Sequence, residues 1–302
     1  MTGSLSRRHW LQGAGASALL IGCSLAWAGK AGAGAGAKER LEVIRMRIGG
    51  RLGVHVLDTH TGQRIGLDDD SRYATASTFK MLLAATVLKR VERGELSLTQ
   101  RISYSEKDML KVVSPVMSKH LAEGSLPLQD LCAAIVEVSD NTAANLLLKL
   151  IGGPPAVTKF ARELGDEVTR LDRTEPELNT NLPGDPRDTT SPRAMVGTMQ
   201  KLLTGSDLSS ASVDLLKGWM INSKTGLARI RGGIPKSWKA GDKTGTGANG
   251  AVNDLAILWP PGRKPILIAI YLSESTQSVE ALSAAHADIA KTLFDEREIV
   301  VA

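Results

Sequence analysis

Three short segments carry residues able to do nucleophilic chemistry: Ser77-Thr78-Phe79-Lys80, Ser139-Asp140-Asn141 and Lys243-Thr244-Gly245. On a helix, positions i and i+3 share a face, so the Lys80 amine can reach the Ser77 hydroxyl and activate it. A serine at a helix N-terminus also gains from the positive end of the dipole as negative charge develops. Alone the pattern is weak, because a chain of this length carries about one Ser-x-x-Lys by chance. Ser139-Asp140-Asn141 lies between two apolar helical runs and by itself reads as an N-cap cluster opening a helix through Leu150. Lys243-Thr244-Gly245 lies in a strand pattern over Trp238–Thr244, where an edge strand can offer backbone groups to a ligand. Lys224-Thr225-Gly226 spells the same tripeptide but follows a helix, so the role is assigned to Lys243.

The elements that must position these residues are legible in the hydrophobic periodicity. A charged helical stretch over Lys38–Arg47 precedes an alternating, β-branched strand over Gly53–Thr59. A Thr61-Gly62 turn leads to a second strand near Arg64–Leu67. From Ser77 to about Met220 the helical period dominates, with Phe79, Leu82, Leu83, Val87, Leu88 and Val91 forming an apolar stripe that Gly94 stops. Ser191-Pro192 reads as an N-cap and first-turn proline for a helix through Leu203. Strands return at Trp238–Thr244, Asn253–Trp259 and Ile266–Leu272, and a helix closes the chain over Ser278–Phe294. An isolated two-strand hairpin is marginal, so the first two strands are expected to join the last three. The fold class expected is α+β, an α/β sandwich. It has a five-stranded antiparallel sheet flanked by terminal helices and an inserted all-helical domain, with the active site between the two. The boundaries expected are a leader over 1–37, an α/β domain from 38–70 and 222–302, and a helical domain over 71–221.

Composition is that of a globular chain, 42% hydrophobic and 23% charged. Arg7, Arg8 and Lys30 contribute three units of the formal net charge of +5 with no acid in the leader to offset them, so the chain after the leader is close to neutral. No basic stripe with interleaved aromatics is present, and no nucleic-acid partner is expected. Ser6-Arg7-Arg8-His9-Trp10-Leu11 is a twin-arginine pattern followed by a weakly hydrophobic, Gly/Ala-rich stretch to Ala28, too diluted by Gly13, Gly15 and Gly22 for a membrane span. Export to the periplasm follows. Ala26-Trp27-Ala28 fits a cleavage site, and Leu20-Ile21-Gly22-Cys23 fits a lipobox that would anchor the chain through Cys23; both readings stay open. Cys132 is the second of two cysteines and sits in an apolar helical run, which points to buried packing. His9, His55, His60, His120 and His286 show no metal-ligand spacing, so no metal is expected.

The three motifs in this order resemble the set shared by class A β-lactamases and penicillin-binding proteins. The resemblance to class A serine β-lactamases covers nearly the whole chain after the leader. Arg173-Thr174-Glu175-Pro176-Glu177-Leu178-Asn179, followed by Gly184-Asp185-Pro186-Arg187-Asp188-Thr189-Thr190, looks like that family's Ω-loop, here 173–190. Asn141-Thr142-Ala143-Ala144-Asn145-Leu146-Leu147 and Gly241-Asp242-Lys243-Thr244-Gly245-Thr246-Gly247 also match it. The resemblance implies a cofactor-free β-lactam hydrolase, a monomer whose partners are small β-lactam substrates. It makes Ser77 the nucleophile and leaves either Lys80 or Glu175, through a water, as the base that takes its proton. It implies that the backbone N–H groups of Ser77 and Thr246 form an oxyanion hole and that Ser139 relays a proton to the lactam nitrogen beside Lys243. Lys243, Thr244 and Gly245 would line the substrate carboxylate site, Asn141 would meet the side-chain amide, and Glu175 and Asn179 would hold the hydrolytic water. Arg173 and Asp188 would clamp the loop. Arg229 would be a second cation for the carboxylate, with Arg231 as the alternative.

Some positions depart from the pattern. Val113 stands before Ser114-Pro115 where many relatives have an aromatic, and Ala84 stands where many pair a cysteine with the position of Cys132. Ala76 and Gly247 cannot form the bridge common in carbapenem-hydrolysing relatives, so penicillins and early cephalosporins are the expected substrates. Two rivals share the first three motifs: a D,D-peptidase or penicillin-binding protein, and a β-lactam sensor domain. The Glu175/Asn179 loop favours hydrolysis over both. Export through the folded-protein route is directly testable: replacing Arg7 and Arg8 with lysine should leave active enzyme in the cytoplasm, measured by nitrocefin turnover in cell fractions. Unchanged periplasmic activity would assign export to the general secretory route.

Overall fold

The computed structural model describes residues 36–294, so the twin-arginine segment and Cys23 lie outside the described residues. Helix α1 spans 36–48, two residues into the expected leader, and Ala37 is already buried in the core. Strands β1 (Arg51–Asp58) and β2 (Arg64–Leu67) form a hairpin, and β3 (Tyr73–Ala74) leads into a short 3₁₀ turn, Ala76–Thr78, that runs into α2 (Phe79–Glu92). Then come β4 (Arg101–Ser103), α3 (Pro115–Lys119), β5 (Ser125–Pro127), α4 (Leu128–Glu137), α5 (Asn141–Ile151) and α6 (Pro154–Glu163). The chain continues through β6 (Thr189–Thr190), α7 (Pro192–Leu203), α8 (Ser210–Ile221) and α9 (Ile230–Gly233). It closes with β7 (Lys239–Thr246), β8 (Val252–Trp259), β9 (Ile266–Ser273) and α10 (Val279–Phe294).

The hairpin does join the last three strands. The antiparallel order is β2-β1-β9-β8-β7, with β1 and β9 paired from Arg51↔Ser273 to Asp58↔Ile266. The stretch expected to be purely helical also holds two short ladders, β3–β6 and β4–β5. Pairings of two or three residues are too short to leave a two-residue period in the sequence. Asp140, rather than Ser139, caps α5 by accepting from the Ala143 amide at 2.9 Å. Ser191 caps α7 with Pro192 in its first turn, as expected.

Strand alternation divides the core in two. Leu52, Val54 and Val56 of β1, Ala256 and Leu258 of β8, and Ile266, Ile268, Ile270 and Leu272 of β9 pack with Leu41 and Ile44 of α1 and Leu282, Ile289 and Leu293 of α10. The alternate residues Leu57, Leu255, Ile257, Leu267, Ala269 and Tyr271 join the helical block around α2, α4, α5 and α7. Helix α2 is buried along its length, including Ala84, and Cys132 of α4 is a buried free thiol whose pKa burial pushes up. His55 and His286 are buried packing residues, paired with Asp69 and with the Leu282 carbonyl.

The close approach of the two layers depends on Gly53 in β1. A Cβ there would lie 2.5 Å from the Tyr73 ring and 2.9 Å from Pro192. That ring is fixed by its hydroxyl's bond to Asp68 and by the Arg51 guanidinium 4.4 Å above it. Gly53→Ala should therefore destabilise the protein by about 1–3 kcal/mol, read as a lower midpoint of chemical denaturation.

Candidate active site

Ser77 lies in the turn entering α2, between buried Ala76 and Thr78, and is itself only half-buried, so its hydroxyl opens outward. Ala76 before it has a φ of 41°. Such a conformation is costly for a residue with a Cβ and persists where surrounding packing imposes it. Gly245 of β7 faces this turn: a Cβ at Gly245 would lie 2.8 Å from the Thr75 carbonyl and 3.2 Å from the Ser77 amide nitrogen. Asn253 of β8 holds the segment from below, donating to the Ala74 carbonyl at 2.9 Å and to that of Thr75 at 3.3 Å. Strand β7 is thereby pressed against the turn that carries Ser77.

One helical turn on, the fully buried Lys80 Nζ donates to Ser77 Oγ at 3.0 Å, to the Ser139 carbonyl at 2.9 Å and to Asn141 Oδ1. It also lies 3.3 Å from Ser139 Oγ and 2.9 Å from Glu175 Oε1. Burial lowers the Lys80 pKa, an effect that the Glu175 carboxylate opposes. Ser139, at φ 61°, is turned inward so that its hydroxyl also receives a bond from Lys243 Nζ at 3.1 Å. Burial, reinforced by the like charge of Lys80, pulls the Lys243 pKa well down. Two amines and one hydroxyl thus form a continuous path from Ser77 to β7.

Glu175 completes the ring. Its Oε1 accepts from Ser77 Oγ at 3.4 Å and its Oε2 from the Asn179 amide at 2.6 Å. Asn145 grips its backbone from both sides: Oδ1 accepts from the Glu175 N–H at 3.0 Å, and Nδ2 donates to the Glu175 carbonyl at 2.8 Å. Asn145 carried no role in the sequence reading. The signal was its place at i+4 from Asn141 on an otherwise apolar helix, which turns both asparagines to one face. At the loop's base, Arg173 Nε pairs with buried Asp188 Oδ2 at 2.5 Å, while Asp188 Oδ1 accepts the amides of Asp172 and Arg173. The Asp188 carbonyl accepts from the Thr75 amide at 2.8 Å, linking the loop to the turn that carries Ser77.

Along β7 the alternation sends Lys243 toward Ser139 and sends Thr244 and Thr246 to the opposite side. Arg229 lies there, buried rather than solvated. It donates to the carbonyls of Gly245 at 2.9 Å and Asn253 at 2.6 Å, and to Thr246 Oγ1 at 2.8 Å. Arg231 is committed elsewhere, to Asp242 and to the carbonyls of Met220 and Ile221. The second Lys-Thr-Gly tripeptide is nearer than the sequence reading placed it, because Thr244 Oγ1 donates to Thr225 Oγ1 at 2.7 Å. Its Lys224 is nevertheless exposed, and the buried amine is that of Lys243. Val113 is exposed, with a φ of 39°.

The fold and this site are those of an active-site serine hydrolase. Residues 36–296 match the Beta-lactamase enzyme family. The chain is 43% identical to β-lactamase L2 of Stenotrophomonas maltophilia, an alignment covering 91% of this chain and 94% of that protein. It is 43% identical to β-lactamase CTX-M-97 of Escherichia coli, covering 81% and 83%. The solved structure of an ancestral (GNCA) class A β-lactamase superposes with a TM-score of 0.83 at 50% identity, covering 85% of this chain and 98% of that one. The chain belongs to the β-lactamase enzyme family, as a class A serine β-lactamase.

Proposed function

We propose that this enzyme hydrolyses β-lactams through an acyl-enzyme on Ser77, with Lys80 and Glu175 dividing the proton transfers. The observation that carries the reading is the Ser77–Lys80–Glu175 triangle, with edges of 3.0, 2.9 and 3.4 Å. Lys80 Nζ lies 3.0 Å from Ser77 Oγ against 3.4 Å for Glu175 Oε1, and burial lowers its pKa, so its amine is the nearer acceptor for the Ser77 proton. Ser77 Oγ then bonds to the lactam carbonyl carbon, and the oxyanion is met by the backbone N–H groups of Ser77 and Thr246. As the C–N bond breaks, Ser139 delivers a proton to the departing nitrogen and is resupplied by Lys80 or Lys243, both in contact with its hydroxyl.

Deacylation falls to Glu175. Its carboxylate takes a proton from a water that attacks the ester, and Ser77 Oγ leaves with a proton returned to it. Asn179 holds one oxygen of that carboxylate, and its own buried Oδ1 has no hydrogen-bond partner among the described residues, so it can accept from the same water. A D,D-peptidase or sensor that keeps its adduct has no need for such a carboxylate. Lys243, Thr244 and Gly245 line the carboxylate end of the substrate, with Arg229 behind them, and Asn141 meets the side-chain amide. Arg173 and Asp188 keep the loop in place. The cleft falls between an α/β domain, 38–70 with 222–302, and a helical domain, 71–221. No described helix is long and apolar enough to cross a membrane, and Arg7-Arg8 supports export to the periplasm.

Two variants test these roles. Arg229→Ala removes a charged hydrogen-bonding group worth about 1.5–3 kcal/mol and should raise KM for penicillins by about tenfold or more with a smaller change in kcat. An unchanged KM would leave Arg229 as a support for Thr246 alone. Glu175→Ala should slow deacylation by about 10²–10⁴ and far more than acylation, so mass spectrometry should find one intact penicillin added to Ser77. Ser77→Ala should show no adduct. Normal turnover by Glu175→Ala would overturn the division of labour.

A further inference from the structure

A second concavity opens where the Glu175 loop meets the sheet, and none of Ser77, Lys80, Ser139 or Glu175 lines it. Its volume is about 230 Å³, below the roughly 300–1,000 Å³ of pockets for drug-sized ligands. Arg51 of β1 and Arg72 before β3 line one side and Arg173 and Arg187 of the loop the other, against two carboxylates, Asp185 and Glu274. The loop arginines are already neutralised. Arg187 forks onto Asp185, Nε donating to Oδ1 at 3.0 Å and Nη2 to Oδ2 at 2.8 Å, which pulls that carboxyl down to about 2. Arg173 pairs with buried Asp188 and stands 3.8 Å from Asp185. The other two differ. Arg72 Nη1 donates to neutral oxygens, the Val168 carbonyl at 2.8 Å and Thr189 Oγ1 at 2.9 Å, and no carboxylate pairs with Arg72 among the described residues. Arg51 lies 3.5 Å from Asp68 and 3.6 Å from Glu274, too long for close hydrogen-bonded pairs.

We propose that this cavity binds a small, multiply charged oxyanion, phosphate or a polycarboxylate, and that the bound anion ties the Glu175 loop to the sheet. A concave wall with an excess of one charge focuses potential into the space it encloses. A guanidinium offers paired N–H donors that match the oxygens of phosphate or carboxylate, and such charge-assisted bonds are stronger than neutral ones. The Arg72 group is already fixed through Nη1, so little freedom is lost when it meets a ligand. Asn181 braces the same pocket: its Nδ2 donates to the carbonyls of Ala248 at 3.1 Å and Asn249 at 3.0 Å and lies 3.0 Å from Ser273 Oγ. That one side chain joins the loop, the β7–β8 turn and the end of β9. An anion held between Arg72 on one wall and the loop arginines on the other adds a further link between loop and sheet, without touching the proton path at Ser77.

The test follows thermal unfolding of the whole protein in inorganic phosphate or in citrate, with chloride holding the ionic strength constant. The midpoint should rise and saturate with at least one of the two, as it does for a ligand that binds only the folded state, and the tighter binder identifies the anion class. Hydrogen exchange over residues 181–189 should slow in parallel. Arg72→Gln should turn over nitrocefin as the unaltered enzyme does, yet bind the anion about tenfold more weakly or worse. Glu274→Gln, which takes a carboxylate off the wall, should bind it more tightly, so the proposal stays open to refutation even if Arg72→Gln fails to fold. No saturable rise with either anion would overturn the proposal. So would a rise that both variants leave unchanged, with slowed exchange at 243–246 and competitive inhibition of nitrocefin turnover at the same concentrations; the anion would then lie at the Lys243 end of the cleft.

Discussion

A lysine amine withdrawn wholly from water constrains the rest of the molecule. An ion the size of the Lys80 ammonium costs several kcal/mol to bury even after relaxation, and only close, well-directed partners offset that. No single segment could supply them. Ser77 comes from the turn before α2, Ser139 and Asn141 from the junction of α4 and α5, and Glu175 from the loop over 173–188. The same burial bears on the amine's chemistry, because desolvation lowers the Lys80 pKa while the Glu175 carboxylate opposes that shift.

The ring is held by backbone conformations that are unfavourable in isolation. Ala76, Ser139 and Asp188 all have positive φ, at 41°, 61° and 56°, and all three adjoin or support the ring. Each is over-determined by its surroundings: Ala76 by the approach of Gly245, Ser139 by bonds from both buried lysines, Asp188 by Arg173, two loop amides and Thr75. The sheet and helical block act as the rigid frame against which this local cost is sustained.

Strand β7 shows how a two-residue period becomes chemistry. Lys243 and Gly245 face the helical block, the one reaching Ser139 and the other letting the Ser77 turn come close. Thr244 and Thr246 face the other way, toward Thr225 and Arg229. A shift of one residue in register would exchange the two sets and dismantle both sites. The β7–β8 pairing from Lys239↔Trp259 to Thr246↔Val252 therefore specifies the cleft as much as the fold.

By itself the sequence determined the elements whose periods are long, from α2 and α7 to the strands of the sheet, and it singled out Ser77, Lys80 and Glu175, which the fold brings together. The types and spacing of Ser77 and Lys80 are properties of a single helical turn, and the loop around Glu175 is contiguous in the chain. Tertiary structure alone decided what depends on segments distant in sequence. It buried Arg229 and drew Arg231 away to Asp242, although the two are neighbours in the chain with no pattern to separate them. It brought Thr225 to Thr244, made Asn145 the holder of the Glu175 backbone, and made Asn181 the link between three segments. Local propensity is written into neighbouring residues, whereas a hydrogen bond between residues 181 and 273 exists only once the whole chain has closed around it.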